Sequence, residues 1–405
     1  MKIGVDLRVL QVGHQYRGIG EVTRQCLNRV LQLALADGHS FVFYEYDDDI
    51  DPKQFLTIPK ELAHEEVFLG TRPQLSTQRS LQEKLLTKWR NLFGSPVPHA
   101  TRSDVLLQFN FDLGVPRRPR TVLVAHDLIP YIFWNDYFES AWVPFRNKAA
   151  RTTLRTLFAN YEYKRVLKRS HRNAWRILCV SDHTRKDLKK YLHVPDRKLR
   201  VMHLGVDAQA LTHAGGKTNV ATPTKPFLLF VGAVDARRRR IDDLIAAFNN
   251  LKAQGHDIQL VLVGENFQAP EQIPNEIVRK AVAESSYKND ILALGYVDDA
   301  TKHALYKQAI AFVFPTIYEG FGIPVLEAML LECPVIAYKN SSITEVGGGY
   351  AFYAKDWTGI WRQAEALLTM PKDARQKKIE AAKKHAQQFS WGATAENMYR
   401  ALTGK

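Results

Sequence analysis

The stretch Tyr318–Met329 reads YEGFGIPVLEAM, and its glycines, proline and two glutamates decide how the chain is interpreted. It follows the short apolar run Ala311–Phe314, which is typical of a buried strand. Pro324 suits the first turn of a helix, where its missing amide proton costs nothing. The sequence therefore predicts a strand, a glycine-rich turn and a helix in this order.

The predicted turn offers binding groups at the start of that helix. Gly320 and Gly322 have no Cβ atom, so backbone amides there can approach a ligand closely. Amides at a helix N-terminus attract anions and oxygen atoms. Glu319 and Glu327 add carboxylates that accept hydrogen bonds from hydroxyl groups. A single glutamate in such a place is more often a helix cap or a solvated side chain. The whole string is a more specific pattern, which favours a binding site.

Strand-like apolar runs alternate with amphipathic helical patterns along the rest of the chain. Such alternation is typical of parallel sheets with helices on both faces. The polar stretch 208–225 is the best linker, so we expect two such sheets in tandem. The predicted strands are Ile3–Leu7, Phe41–Tyr46, Val105–Phe109, Val122–Ala125, Ile177–Val180, Val201–Leu204, Phe227–Val231, Gln259–Val263, Ile291–Leu294, Ala311–Phe314 and Pro334–Tyr338. The predicted helices are 19–35, 183–192, 241–253, 274–285, 300–309 and 323–332.

The composition excludes several classes of protein. Of 405 residues, 45% are hydrophobic and 24% are charged, which is globular rather than disordered composition. No apolar run reaches the roughly 18 residues that span a bilayer. Cys26, Cys179 and Cys333 are too far apart in sequence for a disulfide framework or a cysteine-rich zinc site. No secretion signal precedes the first strand pattern, so we expect a cytoplasmic protein.

The charge is strongly basic, with a formal net value of +14. Residues 142–200 alone hold 17 Lys and Arg against 4 Asp and Glu. This block favours an anionic partner, which the charge alone leaves open among nucleic acid, membrane head groups and a phosphorylated ligand. Apolar stripes at helical spacing within 81–92 and 146–169 fit a half-buried helix and a membrane-binding helix equally.

The YEGFGIPVLEAM string resembles the E-x7-E motif of the family-4 retaining glycosyltransferases of the GT-B fold. The resemblance covers nearly the whole chain, most clearly 1–30, 120–207 and 226–403. It implies an α/β GT-B architecture, in which two Rossmann-like doubly wound domains face each other across a cleft. The implied parts are an acceptor-binding domain (1–207), a linker (208–225), a nucleotide-sugar-binding domain (226–388) and a C-terminal helix that crosses back (389–405).

The resemblance also implies site residues within this motif. Glu319 would bind hydroxyls of the donor sugar, and Glu327 would bind the ribose. The amides of Gly320, Phe321 and Gly322 would face the sugar and the diphosphate.

A basic loop after the run Phe227–Val231 resembles the family segment that carries an Arg and a Lys to the donor diphosphate. The loop begins at Gly232, and we assign Arg238 to the family's Arg and Arg239 to its Lys. A departing diphosphate accumulates negative charge, which fixed cations stabilise in the transition state. An arginine run without this context is more often solvated or bound to nucleic acid.

Two further elements come from the N-terminal half. Gly18 and Gly20 resemble the family's glycine-rich loop near the phosphates, although a lone G-x-G is usually just a turn. His126 and Asp127 resemble a His-Asp pair, in which the histidine lies against the donor sugar. Asp127 is expected to orient His126 or to cap a turn.

The predicted function is therefore retaining transfer of a hexosyl group from GDP-mannose or a UDP- or dTDP-sugar to a glycan or lipid-linked saccharide. The family needs neither a protein nucleophile nor a bound metal, and no HExxH pattern or clustered set of His and Cys ligands occurs here. We expect no cofactor, no nucleic-acid partner, and contact of the basic half with the inner face of an anionic membrane. The alternatives are a phosphorylase or hydrolase, an inactive sugar-binding relative, and a basic nucleic-acid- or membrane-binding protein without transferase activity.

Overall fold

The computed structural model describes residues 1–12, 18–70, 97, 99–112, 114–137, 150–208, 211, 223–234 and 238–404, with the backbone alone at 135, 137, 150–159 and 270. The chain divides into two compact units. Unit 1 comprises Met1–Leu204 together with Trp391–Lys405, and unit 2 comprises Gly205–Ser390. Most of the predicted linker, 209–210 and 212–222, lies outside the described residues.

Unit 1 is built on a seven-stranded parallel sheet with the order β3-β2-β1-β4-β5-β6-β7. Its strands are β1 (Lys2–Asp6), β2 (Ser40–Glu45), β3 (His64–Phe68), β4 (Val105–Gln108), β5 (Arg120–Ala125), β6 (Arg176–Cys179) and β7 (Leu199–Val201). Its helices are α1 (Gly18–Ala36), α2 (Ile129–Ile132), α3 (Trp134–Tyr137), α4 (Ala150–Asn173) and α5 (Asp182–Leu192). The central strands are almost wholly buried, as their continuous apolar runs require.

Unit 2 is built on a six-stranded parallel sheet with the order β10-β9-β8-β11-β12-β13. Its strands are β8 (Phe227–Val231), β9 (Gln259–Val263), β10 (Ile291–Gly295), β11 (Ala311–Phe314), β12 (Val335–Tyr338) and β13 (Phe352–Ala354). Its helices are α6 (Ile241–Ala253), α7 (Glu276–Ala283), α8 (Asp299–Gln308), α9 (Ile323–Leu330), α10 (Ile343–Gly347), α11 (Trp357–Thr369) and α12 (Lys372–Ala386). Stacked rings of Phe230, Phe312 and Phe314 fill the middle of its core.

The last helix, α13 (Trp391–Thr403), belongs to unit 1. Trp391 is 4% exposed, and the buried face of the helix packs on α1. The Tyr399 hydroxyl donates to Asp37 at 2.6 Å, which fixes the end of α13 beside the end of α1. Arg176, on β6, donates to the carbonyl oxygen of Ala401. The last segment of the chain is therefore part of the first unit's structure.

The predicted architecture of two doubly wound parallel sheets flanked by helices is confirmed. The sequence prediction missed β3, whose residues HEEVF bury only Val67, and the three-residue edge strand β13. Both lie at a sheet edge, where no continuous apolar run is needed. The predicted strand Val201–Leu204 is wrong in its bounds, since β7 ends at Val201.

In each sheet the strand order reverses once, between β1 and β4 and between β8 and β11. The carboxyl ends of the strands at such a reversal form the usual ligand-binding crevice of an open parallel sheet. The loops that leave these strands are therefore where a site is expected. Within the described part of the chain, no helix is long and apolar enough to cross a membrane.

Candidate functional site

The loops after β8 and β11 start from neighbouring strands, because Leu228 pairs with Ala311 and Leu229 with Phe312. The first loop carries Arg238 and Arg239, and the second carries Glu319. Asp235, Ala236 and Arg237 lie outside the described residues. The two segments that the sequence singled out separately thus leave the sheet of unit 2 at its reversal point.

Two guanidinium groups converge on one oxygen of Glu319. Arg238 Nη1 lies 2.5 Å from Glu319 Oε1, and Arg239 Nη2 lies 3.7 Å from the same atom. The side chains of all three residues are between 7% and 16% exposed. Arg240 is directed elsewhere and pairs with Asp243 at 2.8 Å. Of the described arginines in this run, Arg238 and Arg239 are therefore the two that face the glutamate.

The backbone around Glu319 is fixed by hydroxyl groups that the sequence analysis did not single out. The Glu319 amide donates to Ser341 Oγ at 3.0 Å. Ser342 Oγ contacts the carbonyl oxygens of Glu319 and Phe321 at 2.8 and 2.7 Å. Thr316 Oγ1 lies 3.2 Å from Glu319 Oε1. These serines follow β12, which is the next strand of the sheet. Their position directly after a predicted strand was the sequence signal that could have identified them as site residues.

Gly232 leaves room for the guanidinium group of Arg239. Its φ is +152°, and a Cβ atom added there would lie 1.9 Å from Arg239 Nη1. Arg239 also stacks over the Phe314 ring, with 5.7 Å from Cζ to the ring centroid. The absence of a Cβ atom at Gly232 thus lets a cation lie against the end of β8.

The turn into α9 has the geometry that the sequence predicted. Gly322 has a φ of +117° and precedes the first helical residue, and Pro324 occupies the first turn. The first amides of a helix have no acceptor within the helix, so they are available to a ligand. Phe321 is 4% exposed and packs edge-on against Phe389. The Phe321 ring therefore belongs to the core of unit 2.

Glu327 is paired within unit 2 and is not a solvated side chain. Lys302, on α8, places Nζ at 3.2 Å from Glu327 Oε1, and the Glu327 side chain is 15% exposed. Burial alone would lower the pKa of Lys302, but the charges of Glu327 and Asp299 raise it overall.

His126 lies in unit 1, immediately after β5 at the carboxyl edge of the sheet. Its Nε2 atom is 3.0 Å from the carbonyl oxygen of Phe109, which follows β4. A carbonyl only accepts, so Nε2 carries the proton and donates it. Asp127 Oδ1 accepts from the Ile129 amide at 2.8 Å and so caps the turn into α2. Asp127 therefore has the capping role that was one of its two predicted roles.

Gly18 and Gly20 lie in the first turn of α1, with Gly18 exposed and Gly20 buried.

The sequence analysis missed a buried ionic network at the carboxyl edge of the sheet of unit 1. Arg8 and Asp6 form a pair at 2.6 Å, and Gln108 Nε2 donates to Asp6 Oδ2 at 2.9 Å. It joins the ends of β1 and β4 at the reversal point of unit 1.

The structure describes only part of the residues on which the metal and membrane predictions depend. Among the described residues, no group of three His, Cys, Asp or Glu side chains is placed to hold a metal ion. The stripe 81–92 lies outside the described residues. Of 146–169, the structure gives helix backbone from Ala150 and side chains from Asn160.

Two sequence families match the two halves of the chain. Residues 217–385 match glycosyl transferases group 1, and residues 41–210 match glycosyltransferase family 4. O-antigen chain mannosyltransferase B of Escherichia coli is 26% identical over 308 residues, or 72% of this chain and 78% of that protein. Alpha-maltose-1-phosphate synthase of Mycobacterium tuberculosis is 29% identical over 245 residues, or 54% of this chain and 60% of that protein.

Solved structures share the architecture. Anabaena HepE in complex with UDP and glucose superposes with a TM-score of 0.64 at 15% identity, and the alignment covers 100% of both chains. At this identity the likeness concerns the fold. Both halves of the chain thus match glycosyltransferase families, and the solved structure shares its fold.

Proposed function

The chain belongs to the family-4 glycosyltransferases and has their GT-B fold, and from that premise we propose that it transfers a hexosyl group from a nucleotide sugar, with retention of configuration, to a glycan or lipid-linked saccharide. The observation that carries the proposal is the convergence of Arg238 and Arg239 on Glu319 at the strand reversal of unit 2. The proposed setting is the synthesis of cell-surface polysaccharide, which the O-antigen relative supports.

In this proposal the arginines act on the leaving group. When the bond between the sugar and the diphosphate breaks, negative charge builds up on the diphosphate. Arg238 and Arg239 stabilise that charge, and the amides at the start of α9 do the same. Because both cations are held by the protein before the reaction, little reorganisation is needed at the transition state.

The glutamates hold the two ends of the donor. Glu319 accepts hydrogen bonds from the sugar, since its carboxylate is fixed by Arg238 and by the Thr316 hydroxyl, and its backbone amide donates to Ser341 Oγ. Glu327 accepts from the ribose hydroxyls. Gly232 keeps space for Arg239 at the diphosphate. Because one glutamate binds the sugar and the other binds the ribose, the proposal explains why a site that binds an anionic diphosphate also contains two carboxylates.

The resemblance to the family assigns roles to three residues of unit 1 as well. His126 hydrogen-bonds a hydroxyl of the sugar or steadies positive charge at the reacting carbon, and Gly18 and Gly20 let backbone approach the phosphates. In the front-face mechanism that we propose, the leaving phosphate takes the acceptor proton. No protein nucleophile and no divalent metal are then required.

The identity of the sugar is left open among GDP-mannose, UDP-hexoses and dTDP-hexoses. One relative is named a mannosyltransferase, another is named a maltose-1-phosphate synthase, and HepE was solved with UDP and glucose. We propose that the reaction takes place at the inner face of the cytoplasmic membrane. The excess of cations in residues 142–200 supports contact with an anionic lipid surface there.

The test is nucleotide release from a panel of these donors in the presence of saccharide acceptors. We predict that Glu319→Ala and Arg238→Ala each lower kcat/KM by about 100-fold or more for the donor that wild type uses. Glu276→Ala is the control, because Glu276 is exposed on α7 and forms a surface ion pair with Lys280. Wild-type turnover by the Glu319 and Arg238 variants would refute the site.

A further inference from the structure

The amino ends of β5, β6 and β7 carry a cluster of cations on the edge of unit 1 opposite His126. These three strands are adjacent and parallel, so their first residues share one edge of the sheet. Loop residues before β5 and β7 and the end of α4 reach the same edge. We call this surface the basic edge, and it comprises Arg117, Arg120, Arg172, Arg176, Arg197 and Arg200.

No carboxylate neutralises the basic edge within the part of the chain that the structure describes. None of its six arginines forms an ion pair there, and all except Arg176 are exposed. Nearby cations behave differently, since Arg185 pairs with Asp182 at 2.7 Å and with Asp196 at 2.9 Å. The lowered pKa of Arg169 comes from burial and then from the charges of Arg165, Arg117 and Arg172, which shows how closely these cations crowd.

The aromatic residue at the basic edge favours lipid over nucleic acid. The guanidinium groups of Arg176 and Arg120 lie over the Trp175 indole, with Cζ at 4.2 and 5.1 Å from the ring centroid. Single-stranded nucleic acid binds by stacking bases on open aromatic faces, and this ring is already covered by arginines. A partly exposed tryptophan among cations is instead typical of a protein surface at the level of lipid head groups.

We propose that the basic edge docks on a membrane surface of anionic phospholipid. The cations would contact phosphate groups, and Trp175 would lie at the interface between head groups and acyl chains. This surface differs from the helix stripes that the sequence suggested, because it is formed by strand ends and loops.

Docking in this way sets the distance from the membrane to the reaction. β5 has six residues between the basic edge and His126, which is about 20 Å at 3.3 Å per residue. The carboxyl edge of unit 1 then faces away from the bilayer. If the proposed glycosyl transfer holds, on which this step rests, the acceptor is a saccharide long enough for its end to stand about that far from the lipid.

The experiment is co-sedimentation of the full chain with vesicles of phosphatidylglycerol and phosphatidylcholine, and with vesicles of phosphatidylcholine alone. We predict that wild type binds the anionic vesicles, and that 0.5 M salt releases it. The variant Arg117→Glu/Arg172→Glu/Arg197→Glu should bind at least about 100-fold more weakly, since each basic residue near an anionic surface contributes about fivefold.

A matched control changes the charge by the same amount elsewhere. Lys372→Glu/Lys377→Glu/Lys384→Glu alters three exposed residues of α12 in unit 2 and should bind like wild type. Both triple variants should keep the wild-type unfolding temperature and rate of nucleotide release, so failure of docking and failure of transferase activity are distinguishable. Equal vesicle binding by the two triple variants would overturn the proposal. So would binding of wild type to single-stranded RNA but not to anionic vesicles.

Discussion

Glu319 and Arg238 depend on each other, because the pair is almost fully enclosed. Their side chains are 13% and 7% exposed, and removing one partner of such a pair leaves the other charge poorly solvated. A loss of activity in either variant therefore has to be compared with its unfolding temperature. Arg239 is the cleaner probe of diphosphate binding, since it lies 3.7 Å from Glu319 and its guanidinium group is stacked on Phe314.

Lys302 provides a contact to the predicted motif that the sequence analysis did not include. From α8, its Nζ atom lies 3.2 Å from one oxygen of Glu327. The motif in the sequence gave no sign of this partner, because Lys302 lies 25 positions earlier and the contact arises from folding. We infer that Lys302 is a positioning residue for the proposed ribose site.

The first prediction concerns Lys302→Met. Without its cation, the Glu327 carboxylate is less well oriented, so the donor KM should rise about tenfold. The value of kcat should change little, because the ribose contact is the same before and at the transition state. Lys302→Arg should restore most of the affinity, and Lys307→Met, an exposed position on the same helix, should behave like wild type. A fall in kcat with an unchanged KM would contradict this role.

The second prediction concerns pH and a buried histidine of unit 1. His171 is 2% exposed, and its Nδ1 donates to the Leu167 carbonyl oxygen at 2.7 Å. Burial lowers the pKa of His171 from 6.5 to about 4, against the opposing effect of that hydrogen bond. Below about pH 6.5 the unfolded chain therefore binds a proton that the folded chain does not, and stability falls as pH falls toward 4.

The non-titrating variant His171→Asn tests this linkage. Between pH 7.5 and pH 5, wild type should lose about 2 kcal/mol more unfolding free energy than the variant. Urea unfolding at the two pH values measures the difference. Identical losses in the two proteins would show that His171 titrates normally when folded.

At the scale of elements, the sequence was most informative where hydrophobic periodicity was strong. Helix α6 begins and ends at the predicted residues 241 and 253, and α9 begins at the predicted residue 323. Edge strands were missed because their solvent-facing residues are polar, as in the HEEVF of β3. The contacts of Thr316, Ser341 and Lys302 were missed for a different reason, since they join segments that are distant in sequence.

The loop from β8 to α6 and the loop from β11 to α9 depend on glycine conformations that follow from their geometry. Gly232 and Gly322 have φ values of +152° and +117°, which side chains with a Cβ atom rarely adopt. A Cβ atom on Gly322 would lie 2.8 Å from Ile343 Cδ1, so this turn is also closely packed. These positions explain why the two motifs need glycine.

The third prediction concerns Gly232→Ala. The new methyl group would displace the guanidinium group of Arg239, so kcat/KM should fall to about the level of Arg239→Ala, roughly 100-fold below wild type. The double variant should be little worse than either single variant, because both changes remove the same contact. If the fall in kcat/KM in the double variant equals the product of the two single falls, Gly232 does not act through the position of Arg239.

At the scale of the whole molecule, the predicted site residues fall on both compact units. Unit 1 carries His126, Gly18 and Gly20, and unit 2 carries the arginines and both glutamates. The basic edge belongs to unit 1 alone, on the side of its sheet away from His126. Binding of the nucleotide and binding of the membrane are therefore predicted to be separable by mutation.

The most direct test of the account is thermal unfolding of the full chain with UDP, GDP, dTDP and ADP. We predict that one of the uracil, guanine or thymine nucleotides stabilises wild type, by about 2.7 kcal/mol at 100 times its Kd. It should stabilise Lys307→Met equally and Arg239→Met much less. If no nucleoside diphosphate raises the unfolding temperature, or if wild type and Arg239→Met respond alike, the donor site proposed in unit 2 is contradicted.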